Sequence, residues 1–154
     1  VVQAAVLIGA VTFILVNIHT DPDAAQSETD AMQLVLDAVL HDGRNEDDVI
    51  LLGDFNTSNQ RLGRLGKVRG LRDAIGNEPT TPSGSKQYDH IFFLDFAAKE
   101  FIRGGVFDTV RQFNLSLEEA LEISDHLPVW AEFSIYEGGA PNTVADRELT
   151  RQVR

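Results

Sequence analysis

Residues 48–56 read Asp-Val-Ile-Leu-Leu-Gly-Asp-Phe-Asn, an apolar run that stops at a glycine and gives way to polar side chains. Successive large apolar residues without a polar interruption are typical of a strand that is buried on both faces. Asp54 and Asn56 follow directly, and the loops at strand ends are where a rigid sheet presents side chains to a substrate. The stretch therefore predicts a central strand of a layered α/β domain, with a candidate site at its end.

The sequence before this strand predicts a second buried strand and a helix. Residues 11–18 are apolar and rich in β-branched side chains, which favours a strand. Pro22 then marks a helix start and Gly43 lies just beyond its end, so we expect an amphipathic helix over 24–41. Its apolar residues recur at helical spacing and are Ala31, Leu34, Val35, Ala38 and Val39.

The sequence after the central strand predicts a long polar region and three more strands. Residues 57–87 are rich in Gly, Arg, Thr, Pro and Ser, and we interpret them as loops with a short helix near 69–76. Ser116 and Glu119 form a capping box, which predicts a short helix over 117–122. The expected strands are 89–94, 100–107 and 127–135.

These elements predict a domain of α/β or α+β class. We expect the strands to form a single sheet that bears helix 24–41 on one face and is markedly apolar on the other. The last strand supports this arrangement because its apolar side chains alternate with polar ones. They are Leu127, Val129, Ala131, Phe133 and Ile135.

The predicted domain spans residues 12–136, and its two flanks differ from it in composition. Residues 1–11 are almost entirely apolar, and the apolar run that begins there continues to about residue 18. The run is shorter than the ~20 residues of a membrane-spanning helix and has no basic leader. We therefore expect no membrane role. Residues 137–154 begin with Glu-Gly-Gly-Ala-Pro-Asn and continue with mixed charges, which is typical of a linker or a loose tail.

The composition restricts the kind of site that the chain can carry. The absence of cysteine excludes disulfides and thiolate metal sites, and it leaves the cellular compartment open. A net charge of −11 argues against a nucleic-acid binder that relies on a basic face. It is compatible with an enzyme that acts on phosphodiesters, because acidic side chains can hold a divalent cation that then meets the phosphate.

Three short clusters and one histidine carry the candidate chemistry. Phosphodiester hydrolysis needs carboxylates for a hard cation, a histidine to deprotonate water, and a carboxylate to orient that histidine. Each cluster also has a structural alternative, because Asp and Asn favour turns and a lone histidine is more often a packed residue. The occurrence of all three clusters together with the histidine favours a functional reason for these residues. The clusters are Gly53-Asp54-Phe55-Asn56, Tyr88-Asp89-His90 and Ser124-Asp125-His126-Leu127-Pro128, and the histidine is His19.

In order and rough spacing, these clusters resemble the motifs of the endonuclease/exonuclease/phosphatase superfamily. The run 113–126, Phe-Asn-Leu-Ser-Leu-Glu-Glu-Ala-Leu-Glu-Ile-Ser-Asp-His, looks like the deoxyribonuclease I branch in particular. The resemblance covers about residues 12–136. It implies half of a four-layer α/β/β/α sandwich, the C-terminal half, with a mainly antiparallel mixed sheet and helices on one face.

The resemblance also implies a catalytic role for five side chains. His126 would be the general base, oriented by Asp89. Asp54 would sit beside the attacking water or the metal ion. Asn56 would hydrogen-bond the phosphate, and His19 would assist at the phosphate or the leaving oxygen.

A divalent cation is implied in the same way, and its ligands would be Asp125 and Asp54. The expected ion is Mg²⁺, with Mn²⁺ and Ca²⁺ as alternatives. His90 departs from the family pattern, since a basic residue of another kind is expected after the aspartate in this branch. The contacts made at that position are therefore not carried over.

The resemblance leaves three hypotheses about function. The first is a metal-dependent phosphodiesterase that acts on DNA as an endonuclease. The second is a phosphatase or phosphodiesterase that acts on a phospholipid or an inositol phosphate. The third is a catalytically incomplete half-domain, because no counterpart of the family's metal-binding glutamate precedes Asp54. We then expect a missing N-terminal half-domain as partner, and self-association of the isolated chain.

Overall fold

The computed structural model describes residues 2–4, 12–44, 46–94 and 99–136. Most of the predicted apolar segment 1–11 and all of the predicted tail 137–154 lie outside these residues. One sheet contains five strands, β1 (Val2–Ala4), β2 (Phe13–His19), β3 (Val49–Asp54), β4 (Arg72–Asp73) and β5 (Asp89–Phe93). Their order is β1-β2-β3-β5-β4, in which β2 and β3 are parallel and the other pairs are antiparallel. The mixed, mainly antiparallel sheet is thus confirmed.

The parallel pair β2 and β3 is joined by the crossover helix α1 (Ala25–Leu40), which confirms the helix predicted over 24–41. This helix covers one face of the sheet with Leu36 and Val39. The facing strand residues alternate along β2 and β3, as the two-residue period of a strand requires. They are Ile14, Val16, Val49 and Leu51, joined by Phe55, Leu62, Leu65, Phe92 and Leu94.

The other face of the sheet is covered in part by two further strands, β6 (Phe101–Val106) and β7 (Val129–Phe133). They pair only with each other among the described residues, so the prediction of a single sheet is wrong. Alternation in the sequence indicates which side of a strand is apolar, but it does not specify which edge the strand joins. The predicted apolar side of the last strand is confirmed, because Val129, Ala131 and Phe133 face the core of this layer.

An apolar groove of about 360 Å³ remains between the five-stranded sheet and β7. The predicted apolar character of this face is confirmed, although β6 and β7 occupy part of it. The groove is lined mainly by Phe13, Leu15, Ile50, Leu52, Ile91, Ala131, Phe133 and Ile135.

The connection from β3 to β5 contains two single turns of 3-10 helix, Asn59–Arg61 and Leu65–Lys67, and the short strand β4. The prediction of a short helix near 69–76 is wrong. β4 pairs instead with β5, with Arg72 opposite Phe93, and this tertiary pairing overrides the local preference.

Two short helices, α2 (Thr109–Phe113) and α3 (Leu117–Ile123), connect β6 to β7. The predicted capping box is present, since the Ser116 hydroxyl accepts from the Glu119 N–H and the Glu119 carboxylate accepts from the Ser116 N–H. Both bonds satisfy N–H groups that have no partner within the helix. None of the helices in the described ranges is long and apolar enough to cross a bilayer.

Candidate active site

Three neighbouring strands bring three of the predicted residues to one end of the sheet. His19 ends β2 and lies opposite Asp54, which ends the parallel strand β3. Asp54 in turn lies opposite Asp89, which begins the antiparallel strand β5. The sequence separates these residues by 35 positions each, so the sheet register alone makes them adjacent.

The same three side chains lie on one face of the sheet, because successive residues of a strand alternate between faces. Asp89 lies on the same face of β5 as Ile91 and Phe93, whose side chains pack towards β7. His126 precedes β7 by a few residues and therefore approaches the sheet from this side. The site is thus the polar end of the face that β6 and β7 cover.

His126 and Asp89 form a hydrogen-bonded dyad, with Nδ1 of the imidazole 2.7 Å from Oδ2 of the carboxylate. Partial burial of the ring disfavours its charged form, but the hydrogen bond to Asp89 and the charges of Asp89, Asp54 and Asp125 outweigh this effect. The pKa of His126 is therefore raised above its ordinary 6.5. A raised pKa strengthens the imidazole as a base.

Asp54 lies between two histidines. Its Oδ2 is 3.6 Å from Nε2 of His19 and 3.7 Å from Nε2 of His126. The two imidazoles differ in exposure, since the side chain of His19 is 77% exposed and that of His126 is 29% exposed. The second carboxylate oxygen of Asp54 accepts a hydrogen bond from the backbone N–H of Asn56 at 2.8 Å. That bond orients the carboxylate.

Asn56 adopts a left-handed conformation, with φ of 47°. Outside glycine this conformation is uncommon, although asparagine tolerates it better than most residues. The Asn56 amide donates to the carbonyl of Thr20 at 2.9 Å, which ties the turn after β3 to the residue after β2. One of the two amide hydrogens is used in this bond, so the second can meet a substrate.

One group of metal-ligand atoms at this site consists of Asp54, Asp89 and His126, which lie within 4.8 Å of one another. Asp125 is exposed and lies outside this group, so the two predicted metal ligands are not brought into one three-residue cluster. The remaining predicted residues, His19 and Asn56, border the cluster through Asp54. A second acidic group, Glu46, Asp47 and Asp48, lies at the start of β3, away from this end of the sheet.

The contacts that His90, Asp73 and Thr80 make around the site were not predicted from the sequence. His90 is fully buried, and its Nδ1 lies 2.8 Å from Asp73 and its Nε2 lies 2.9 Å from the carbonyl of Thr57. It thereby ties β5 to β4 and to the turn that contains Asn56. Thr80, which is also fully buried, contacts the backbone of both dyad segments. No pattern marks Asp73 or Thr80 in the polar region 57–87.

The chain is similar to curated proteins over most of its length. Deoxyribonuclease-1-like 1 of Rattus norvegicus is 35% identical over 140 residues, which cover 83% of this chain and 44% of the relative. The corresponding protein of Sus scrofa is 37% identical over 134 residues, which cover 80% and 42%. The chain is thus similar to deoxyribonuclease-1-like proteins. It spans less than half the length of these relatives, and no family model matches it.

A solved structure supports the fold described above. An endonuclease/exonuclease/phosphatase family protein from Bacteroides thetaiotaomicron superposes with a TM-score of 0.50 at 22% identity, over 79% of this chain and 47% of that one. At this identity the likeness concerns the fold alone. The residue-level roles must therefore be argued from the geometry of the site itself.

Proposed function

We propose that the full-length protein, meaning the natural gene product that contains residues 1–154, hydrolyses phosphodiester bonds with His126 as general base. The observation that carries this proposal is the 2.7 Å contact between Nδ1 of His126 and Asp89. It fixes the tautomer in which Nδ1 holds the hydrogen, so Nε2 presents a lone pair towards Asp54. A carboxylate that orients an imidazole also stabilises the imidazolium that forms when the ring takes a proton.

The gap between His126 and Asp54 suits an attacking water. Nε2 of His126 and Oδ2 of Asp54 are 3.7 Å apart, which is too long for a direct hydrogen bond. A water placed beside this line can donate one hydrogen to each atom. Transfer of a proton to Nε2 lets the water oxygen form a bond to phosphorus while the bond to the leaving oxygen breaks.

His19 and Asn56 serve the phosphate in this proposal. His19 is mostly exposed, and its Nε2 lies 3.6 Å from the same Asp54 oxygen that lies 3.7 Å from Nε2 of His126, so a phosphate near Asp54 can contact both rings. When protonated, His19 can donate to the leaving oxygen. The second amide hydrogen of Asn56 can donate to a phosphate oxygen and meet the charge that develops there.

We also propose a divalent cation beside Asp54 and Asp125. Their carboxylates are the hard oxygen donors that Mg²⁺ prefers, and Mn²⁺ and Ca²⁺ are the alternatives. Asp89 fits this role less well, because its Oδ2 is already hydrogen-bonded to His126. The raised pKa of His126 likewise suits a ring that gains a proton rather than one that binds a cation. When bound, the cation would neutralise charge on the phosphate.

DNA is the proposed substrate, with cleavage within the strand. The relatives are named deoxyribonucleases, and this chain shares about a third of its residues with them over the matched region. The region after Asn56 also exposes basic side chains, which can contact a phosphate backbone. They are Arg61, Arg64, Lys67, Arg69 and Arg72.

The test is a nicking assay with supercoiled plasmid and Mg²⁺, run in parallel with hydrolysis of inositol phosphates and phosphatidylinositol phosphates. We expect nicking that stops on addition of chelator, and a loss of at least ~100-fold in turnover for His126→Ala. The matched control is His41→Ala, since His41 follows α1 and its imidazole contacts Asp37 of that helix. Full activity of His126→Ala, or activity that resists the chelator, would reject the mechanism, and a preference for inositol phosphates would reject the substrate.

A further inference from the structure

Thr80 is a fully buried residue of the connection between β4 and β5, and the mechanism above does not use it. Its hydroxyl oxygen accepts two backbone hydrogen bonds, from the N–H of Tyr88 at 2.9 Å and from the N–H of Asp89 at 3.1 Å. Its carbonyl accepts a third, from the N–H of Leu127 at 2.7 Å. One residue therefore contacts two segments that are distant in sequence.

These two segments are the ones that carry the dyad. Asp89 itself receives one of the bonds, and Leu127 directly follows His126. A backbone hydrogen bond also closes the loop that begins at Thr80, because the Thr80 N–H donates to the carbonyl of Lys86 at 2.8 Å. Thr80 thus sets the separation between the backbone of Asp89 and the backbone beside His126.

The hydroxyl has a specific role in this arrangement. A buried N–H without an acceptor is costly, and a shift of the backbone towards another acceptor relieves that cost. Loss of the Thr80 hydroxyl would leave the N–H groups of both Tyr88 and Asp89 without this acceptor. Any compensating shift would act directly on the 2.7 Å contact between Asp89 and His126.

We propose that Thr80 is a positioning residue for the His126–Asp89 dyad, acting through its hydroxyl on β5 and through its carbonyl on the segment before β7. This inference rests on the proposed function. Displacement of a reacting group by about 1 Å can lower the rate by ~100-fold. We therefore expect the effect on kcat rather than on substrate binding, because Thr80 is buried and cannot touch a substrate.

The experiment compares three variants of the full-length protein in the plasmid-nicking assay. Thr80→Val removes the hydroxyl and keeps the shape, whereas Thr80→Ser keeps the hydroxyl. The matched control is Thr29→Val, because Thr29 is equally buried, lies in α1, and its hydroxyl has no hydrogen-bond partner. If Thr80→Val does not fold, Thr80→Ala lacks the same hydroxyl without adding a methyl group beside the two N–H groups.

For Thr80→Val we expect kcat to fall by about 10- to 100-fold, with KM changed by less than about threefold. Thr80→Ser and Thr29→Val should retain wild-type kcat and KM.

Two results would overturn the proposal: a Thr80→Val protein with unchanged kcat, or a Thr80→Ser protein as impaired as Thr80→Val. If His126→Ala leaves the nicking rate unchanged, the proposed function fails instead. The two failures are therefore distinguishable.

Discussion

At the scale of single residues, His126 has two opposing influences on its charge. Burial disfavours the imidazolium, and three carboxylates favour it, with the Asp89 hydrogen bond contributing most among them. The net result is a raised pKa. A histidine tuned in this way is a stronger base when neutral, at the cost of being protonated over a wider range of pH.

The raised pKa predicts a pH dependence. The general base must be neutral, so activity should fall as the pH drops through the pKa of His126, and the midpoint should lie above the ordinary 6.5. Asp89→Asn removes the principal carboxylate partner of the ring and should move this midpoint to lower pH while also lowering kcat. The measurement is kcat/KM for plasmid nicking across the pH range, with Asp37→Asn as control because Asp37 contacts the remote His41. A midpoint that is identical in Asp89→Asn and in the wild type would contradict the assignment.

The sequence indicated the residue types of the site but not its supporting contacts. Asp54, Asp89 and His126 follow strand ends or precede strand starts, where polar side chains are conspicuous. Asp73 and Thr80 lie in a region with many other polar residues, so nothing in the pattern distinguishes them. His90 was noted as a member of the Tyr88-Asp89-His90 cluster and as a departure from the family pattern, without a role of its own. Its contacts with Asp73 and Thr57 depend on a tertiary arrangement that spacing cannot show.

At the scale of the elements, the parallel pair β2 and β3 determines where the site forms. The crossover through α1 returns the chain in the same direction, so the carboxyl ends of both strands meet at one end of the sheet. Close approach at this end requires Gly53, whose φ is +134°. A Cβ at this position would lie 1.9 Å from the carbonyl oxygen of Ile18 and 3.0 Å from the side chain of Asn17.

Gly53→Ala should therefore be strongly destabilising and should displace Asp54. The strain of a positive φ costs about 1–2 kcal/mol, and overpacking against β2 adds about 1–3 kcal/mol. Gly43→Ala is the matched control, because Gly43 also has a positive φ of +88° but a Cβ there meets nothing within 4 Å. Urea unfolding should show that Gly53→Ala loses more stability than Gly43→Ala by at least about 1 kcal/mol. Equal losses of stability in the two variants would show that the backbone moves away from the contact with Ile18 without a free-energy penalty.

The elements with strong local signals were predicted well, and those set by long-range pairing were not. Helix α1 and the capping box of α3 agree with the sequence because periodicity and capping are local properties. The helix expected near 69–76 is replaced by β4, whose pairing with β5 brings together residues about 20 positions apart. The separate pairing of β6 and β7 was missed for the same reason, since no local feature specifies a partner strand.

At the scale of the whole molecule, part of the apolar face of the five-stranded sheet is left open. The layer of β6 and β7 leaves a groove of about 360 Å³ beside it, and Ile135 on the rim of this groove is 65% exposed. The chain also spans only 44% of the rat relative. Both observations favour the interpretation that the activity proposed for the full-length protein needs more than residues 1–154.

The 154-residue chain alone should therefore have little or no nuclease activity and should self-associate. Mg²⁺ requires near-octahedral oxygen coordination, and Asp54 with Asp125 supplies few of those ligands. An exposed apolar face on a soluble chain favours association, and Ile135→Lys on the groove rim should reduce it. Leu34→Lys should not, because Leu34 is 60% exposed on α1, which packs on the other face of the sheet. Light scattering over a range of concentrations and the plasmid assay measure both properties. A chain that stays monomeric and nicks plasmid with Mg²⁺ at the rate of the full-length protein would show that these residues form a complete enzyme.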